Sequence, residues 1–374
     1  MQRLKGESKL PKPLRIGIAG CGFIAQQDYF PVLVRPEIKE KVDVVAVCDL
    51  TPGRAESSRE TFGFAAAYTD YSEMLRSERL DLVAILTPIN AHFAQALEAL
   101  RAGVNVYVQK TMAASTAEAL ELNREAEERE LIVAPSPGQM VDHWHQEAKR
   151  ILTQGLIGKV VFARCQGPHP GHEAQDLGGV DPSWYYAPGG GPMMDVAVYP
   201  LTSLVGLIGP ALRVSAMSGI VVPERSWGGK NIPISMDDNT ALLLDFGSSV
   251  FATVSGNFVT RRWNTPQVEL VGTRGVLNLG GWMLPATPLE YYSENEHDGF
   301  QASWTKPVPP LDSPQSQPMS HTVRDLLHVV ECVSSGATPA MSGEQAAHVI
   351  EIIEKGYVSA REGTVQHLET TFNL

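Results

Sequence analysis

From residue 14 to about residue 134, short continuous apolar runs alternate with stretches whose apolar residues recur at helical spacing. The runs are Leu14–Ala19, Val42–Cys48, Leu82–Leu86, Val104–Val108 and Leu131–Val133. Between them lie Phe23–Leu33, Gly53–Phe62, Ala91–Ala102 and Ser115–Glu128. Strands apolar on both faces and separated by helices predict a parallel sheet covered on both sides, a doubly wound α/β domain over 14–138. After Gln139 the pattern changes. A helix is expected through Gln146–Gln154 and a strand over Lys159–Gln166, then a loop rich in Gly, Pro and His to Tyr186, and a helix after Gly189–Gly191. The runs Leu212–Val222, Thr240–Phe246, Ser249–Val259 and Gln267–Leu279 alternate or are rich in β-formers, and they predict a largely antiparallel open sheet. The stretch Ala286 to Pro318, with prolines at 288, 307, 309, 310, 314 and 318, reads as an excursion or loop. Helices over Ser320–Ser335 and Gly343–Glu362 close the chain. The expected plan is therefore a disordered lead-in (1–13), the parallel-sheet domain (14–138) and an α+β domain (139–374), whose last helices pack back on the first.

Composition narrows the function classes. The 374 residues carry 30 basic and 42 acidic side chains, a net charge of −12. Such a chain has no electrostatic footprint for nucleic acid or anionic membrane. No apolar run approaches the ~20 residues that cross a bilayer, and the polar, lysine-bearing Met1 to Pro13 is no signal peptide. Cysteines 21, 48, 165 and 332 have no metal-ligand spacing and read as buried thiols of a reducing compartment, so cytoplasm is expected.

The first strand runs into Gly20-Cys21-Gly22-Phe23-Ile24-Ala25, a G-x-G-x-x-A fingerprint. Gly20 permits the tight turn, Gly22 lets a pyrophosphate approach the backbone, and Ala25 allows close packing of helix on strand. The helix opening at Phe23 and Ile24 then presents free amides to phosphate. Asp49 ends the second strand, where a carboxylate accepts hydrogen bonds from both adenosine ribose hydroxyls. That favours NAD; Arg54, able to reach a 2′-phosphate, keeps NADP as the alternative.

Further motifs resemble the Gfo/Idh/MocA family of sugar and inositol oxidoreductases. They are Thr87-Pro88 with Asn90 and His92; Gly103 through Gln109-Lys110-Thr111-Met112-Ala113; Gly189-Gly190-Gly191-Pro192-Met193-Met194-Asp195 through Tyr199; and Met341-Ser342-Gly343-Glu344 through Gly363. Together they span nearly the whole chain. The resemblance implies a Rossmann domain that holds the cofactor, with Thr87, Pro88, Asn90, His92, Gln109 and Lys110 on its side. It also implies a second domain that supplies substrate contacts and a homodimer or homotetramer surface. Two positions depart from the family pattern. Gln109-Lys110-Thr111 replaces Glu-Lys-Pro, and Tyr199 stands where a histidine is common. The Asp-x-x-x-Tyr pattern resembles the branch containing glucose–fructose oxidoreductase and the dihydrodiol dehydrogenases, in which tyrosine takes the acid/base role.

The resemblance thus makes Lys110, Asp195 and Tyr199 the expected catalytic set. A nearby ammonium lowers a phenol's pKa, so Lys110 is expected to prepare Tyr199 as base, while Asp195 orients hydroxyls or anchors the lysine. His169, His172, Trp184 and Tyr185 are candidate substrate contacts, and no metal site is expected. The leading expectation is hydride transfer at a carbinol carbon of a sugar, cyclic polyol or glycoside. The alternatives are a glycosidase or lyase that oxidises its substrate transiently, and a non-catalytic dinucleotide-binding regulator.

Overall fold

The computed structural model describes residues 12–174, 181–281, 288–294, 302–308 and 320–374. Residues 1–11 of the expected lead-in and much of the expected proline-rich excursion lie outside the described residues. The first sheet is wholly parallel: β1 (Leu14–Ala19), β2 (Val42–Cys48), β3 (Ala66–Tyr68), β4 (Leu82–Ile85), β5 (Asn105–Val108) and β6 (Val133–Pro135), in the order 3-2-1-4-5-6. Its central strands are buried on both faces, because helices cover both sides. The apolar runs therefore marked this domain well. The short β3 and the helix Tyr71–Ser77 escaped the pattern, having too few residues to show a period.

The second sheet is built on β7 (Val160–Pro168), β8 (Arg213–Gly219), a separate hairpin β9 (Arg225–Trp227) and β10 (Lys230–Ile232), β11 (Asn239–Asp245), β12 (Phe251–Asn257), β13 (Val268–Gly272), β14 (Gly275–Leu279), β15 (Leu289–Ser293), β16 (Ser303–Thr305) and β17 (Gln366–His367). Its order is 16-15-14-13-7-12-11-8-17, antiparallel except where β7 and β12 run parallel. β15 and β16 fall inside the stretch expected to be loop. Pairing of β15 with β14, and of β16 with β15, gives their backbone a ladder that local sequence does not announce.

Alternation along β11 and β12 turns one sheet face inward, against the helices Val198–Ile208 and Gly343–Glu362. Gly336 and Gly363, both in the left-handed region, stop the two closing helices. The first of these, His321–Ser335, sends Val323, Leu326, Val329 and Val330 into the core beneath the parallel sheet. The helix expected from Gln146 begins instead at His143, because the Asp142 carboxylate caps it by accepting the Trp144 amide. Among the described residues no helix is long and apolar enough to cross a membrane.

Candidate active site

At the nucleotide end, Gly20 has φ +97°, and a Cβ there would lie 2.8 Å from the carbonyl group of Leu86. Gly22 has no atom within 4 Å of the place a Cβ would occupy, so its backbone is open to a ligand. A helix starts at Phe23, directly after Gly22, and the first amides of a helix have no intrahelical acceptor. Phe23, Ile24 and Leu50 leave an apolar rim exposed around it. Asp49 accepts the Cys21 amide (2.9 Å) on one oxygen and the Thr51 amide (2.8 Å) on the other, while Arg54 leans on it at 3.4 Å. An open backbone cradle, an apolar rim and a carboxylate at the end of β2 fit a dinucleotide. Pro88 and Asn90 lie exposed at the start of the helix Ile89–Arg101, and Asn90 Oδ1 faces Gly189 of the second domain. Thr87 is half-buried, with its hydroxyl on Gln95 (2.6 Å).

At the other end, Lys110 follows β5, and its Nζ lies 2.6 Å from Asp195 Oδ1. Asp195 sits in a π-helical turn, Met193–Ala197, that leads into the α-helix Val198–Ile208. Two glycines permit this turn to press on the sheet: a Cβ at Gly167 would lie 2.6 Å from the Ala197 nitrogen, and one at Gly256 would lie 2.8 Å from the Met193 sulfur. The second carboxylate oxygen, Oδ2, lies 2.6 Å from His172 Nε2. Burial alone would raise the Asp195 pKa, but Lys110 and His172 outweigh it and hold the carboxyl well below the usual carboxylate range. His172 stacks on Tyr185 at 3.5 Å and on His169 at 4.3 Å, and Trp184 covers Tyr185 from the exposed side at 3.7 Å. Lys110 Nζ lies 5.5 Å from the Tyr199 ring centroid. The phenol hydroxyl lies 3.3 Å from His321 Nε2.

Comparison with known proteins gives the same picture. The oxidoreductase family with an NAD-binding Rossmann fold, Gfo/Idh/MocA, matches residues 14–136, and the GFO/IDH/MocA C-terminal domain matches residues 145–278. A dTDP-3,4-didehydro-2,6-dideoxy-alpha-D-glucose 3-reductase of Streptomyces violaceoruber is 30% identical over 73% of this chain and 75% of its own. This chain belongs to the Gfo/Idh/MocA family. A D-apiose dehydrogenase of Paraburkholderia graminis is 26% identical over 96% of this chain and 91% of its own. An NAD binding oxidoreductase from Klebsiella pneumoniae shares the fold with TM-score 0.82 at 19% identity, over 96% of this chain and all of the other. The protein is thus an NAD-binding oxidoreductase.

Within this Gfo/Idh/MocA oxidoreductase several expected roles change. His92 has no exposed surface. Its Nδ1 lies 2.7 Å from the Thr111 carbonyl and its Nε2 2.7 Å from the Thr87 carbonyl, and so it props the segment that carries Lys110. Gln109 likewise turns inward, donating to the Tyr29 hydroxyl (2.7 Å) and accepting the Lys110 amide (3.0 Å). The expected lowering of the Tyr199 pKa is reversed: burial and the Asp195 charge push the phenol well above its usual value. The Lys110 ammonium, 5.5 Å from the ring centroid, does not offset them. Pro200 falls in the first turn of Val198–Ile208, where its missing N–H costs little.

Sequence reasoning missed His321, which lies 122 residues from Tyr199, and the support beneath His172. There Glu173 joins the Tyr186 hydroxyl and Arg225 (2.6 Å), and Arg225 continues to Asp238 (2.8 Å). No local motif marks these partners. Burial of an arginine shows only once the fold is formed.

Proposed function

We propose that this oxidoreductase moves a hydride between the nicotinamide of NAD and a carbinol carbon of a sugar, cyclic polyol or glycoside. The observation that supports this most is the Lys110–Asp195 ion pair at the C-terminal edge of the parallel sheet, the edge on which ligands of such sheets bind. Bound NAD supplies the hydride acceptor or donor, and the chain manages the oxygen. Lys110 keeps 19% of its side chain exposed while Asp195 keeps 7%, so the ammonium is the member of the pair left to meet substrate. Its charge stabilises the negative oxygen that develops as the hydride moves. Tyr199 backs the ammonium with its ring and holds its proton, so Lys110 and Tyr199 form the donor side of the site. Trp184, exposed above Tyr185, offers the flat apolar face on which a sugar ring would stack.

The test is a screen of sugars, inositols and glycosides with NAD and NADP, following absorbance of the reduced cofactor. NAD-linked turnover that falls ~10²-fold or more in Lys110→Ala, with NAD affinity kept, supports the reading. Release of aglycone without accumulating reduced cofactor identifies transient oxidation and elimination. NAD binding with no turnover on any substrate identifies a regulator.

The outward face of the second sheet exposes Met217, Leu243 and Phe251, on β8, β11 and β12. We assign that face to a second copy of this chain, since the apolar row crosses adjacent strands of one sheet. Leu243→Asp is expected to shift the protein toward monomer in sedimentation velocity.

A further inference from the structure

Lys110 and Tyr199 form the donor side of the site, and both oxygens of Asp195 are already engaged by Lys110 and His172. His172 supplies an acceptor nitrogen. Asp195 is a carboxylate and accepts only, so the His172 nitrogen 2.6 Å from it, Nε2, must carry the hydrogen. Neutral imidazole then has its bare nitrogen at Nδ1. That atom is buried and has no hydrogen-bond partner among the described residues, in a side chain that is only 8% exposed. Buried polar atoms are nearly always satisfied, so an orphan beside a charged cluster marks a place where a further group docks.

A second observation is independent of the first. The loop bearing His172 is tied down by an ionic cluster that contributes little to stability on its own account, because charges taken from water recover little when paired. Arg225, with 3% of its side chain exposed, joins Glu173 at 2.6 Å and Asp238 at 2.8 Å and lies over the Tyr186 ring. Glu173 is the next residue after His172, and the Tyr186 hydroxyl accepts the His172 amide at 2.9 Å. The cluster therefore fixes the backbone from which the imidazole reaches Asp195.

We propose that His172 is the catalytic proton acceptor and donor of this oxidoreductase, with Nδ1 meeting the reacting hydroxyl of the carbohydrate and Asp195 holding the imidazolium. Arg225 and Glu173 are positioning residues. The inference rests on the hydride-transfer reading above. In oxidation the substrate O–H bond breaks and its proton passes to Nδ1. The carbon–oxygen bond becomes a carbonyl as the hydride leaves the same carbon for the oxidised nicotinamide. Reduction reverses each transfer, and Lys110 steadies the oxygen in both directions. The titratable and charged groups around the imidazole are Asp195 and, through it, Lys110, from the first domain's β5 edge and the π-helical turn; Tyr185 and Tyr186 from the segment 182–186; and His169, Glu173 and Arg225 from its own loop and β9.

The experiment has an activity arm and a spectroscopic arm. In the activity arm, kcat/KM for oxidation is followed against pH in the native enzyme, His172→Asn, His172→Gln and Tyr199→Phe. The expected result is a fall of ~10²- to 10⁴-fold in both histidine variants, with loss of the acid limb that the native enzyme and Tyr199→Phe retain. In the spectroscopic arm, ¹⁵N-histidine spectra of the ligand-free protein are expected to show His172 protonated at Nε2 and bare at Nδ1, with that pattern lost in Asp195→Asn. An unchanged acid limb in the His172 variants overturns the proposal and leaves the hydride-transfer reading intact, and so does a hydrogen on Nδ1 of the neutral ring. Absence of turnover in the native protein defeats that reading instead, and the nitrogen spectra still decide the state of Nδ1.

Discussion

Asp49 and Asp195 are both buried carboxylates at the ends of the site, and they are held in opposite ways. Asp49 is satisfied by the amides of Cys21 and Thr51, both close to it in the β1–β2 unit, with Arg54 beside it at the rim. Asp195 has no such backbone support among its described hydrogen bonds. Its two oxygens are taken by side chains 85 and 23 residues away, from different structural elements. A carboxylate held by main-chain amides is fixed in one direction, which suits holding a ribose. A carboxylate shared by an ammonium and an imidazole couples two groups that can exchange protons with a substrate. Asp325 makes the contrast sharper: it accepts from Gly138 (2.6 Å) and Ser136 (3.0 Å) but has no cation in contact among the described residues, and burial pushes its carboxyl up to about 7.

The comparison breaks or sharpens at each of these carboxylates. Asp195→Asn should have the largest effect, a loss of ~10³-fold or more in turnover, because it frees Lys110 and removes the acceptor of the His172 hydrogen. It should also destabilise the fold by about 3 kcal/mol, by leaving the partly buried ammonium uncompensated. Since the folded pKa of Asp195 is depressed, that stability is present above the unfolded value of ~3.9 and is lost as pH falls below it. Urea midpoints for native and Asp195→Asn protein should therefore converge only in acid. A constant difference down to pH ~3 would show that the carboxylate is not held by charge.

Asp325 should behave with the opposite sign. Its raised pKa means that the folded state binds the extra proton between pH ~4 and about 7, so its contribution falls as pH rises through that window, by ~2–4 kcal/mol. Asp325→Asn keeps an acceptor for Gly138 and Ser136 and should flatten this slope, as read from urea midpoints at pH 5 and pH 8. Asp49→Ala should weaken NAD binding by ~10- to 100-fold in titration calorimetry, through the lost hydrogen bonds to ribose. Turnover at saturating NAD should change far less, which separates holding the nucleotide from moving the proton. Arg54→Ala should be the mildest, under ~3-fold in NAD affinity, because an exposed ion pair contributes little. A large loss there would mean that Arg54 itself contacts the nucleotide.

The parallel-sheet domain was legible because its evidence is local: apolar runs, a glycine turn and a strand-ending aspartate fall within about 35 residues of one another. The expected second sheet was found as well, through the alternation of β11 and β12, although β15, β16 and β17 were not. Short strands of mixed composition become strands by pairing, and their pairing partners are not neighbours in sequence. Lys110, Asp195 and Tyr199 were named from the family resemblance, which did not show how they contact one another. The depressed phenol expected at Tyr199 is reversed by burial and by the Asp195 charge, neither of which shows in the sequence.

Residue order alone determined which segments could be strand or helix, where a nucleotide's phosphates would find open backbone, and which side chains had the chemistry for proton and charge. Those properties depend on neighbours a few positions away along the chain. The tertiary structure decided the rest: that His172 meets Asp195 across 23 residues, that His321 meets Tyr199 across 122, and that Arg225 is buried beneath the loop. Burial and charge pairing set proton affinity, and both arise only when distant segments exclude water together.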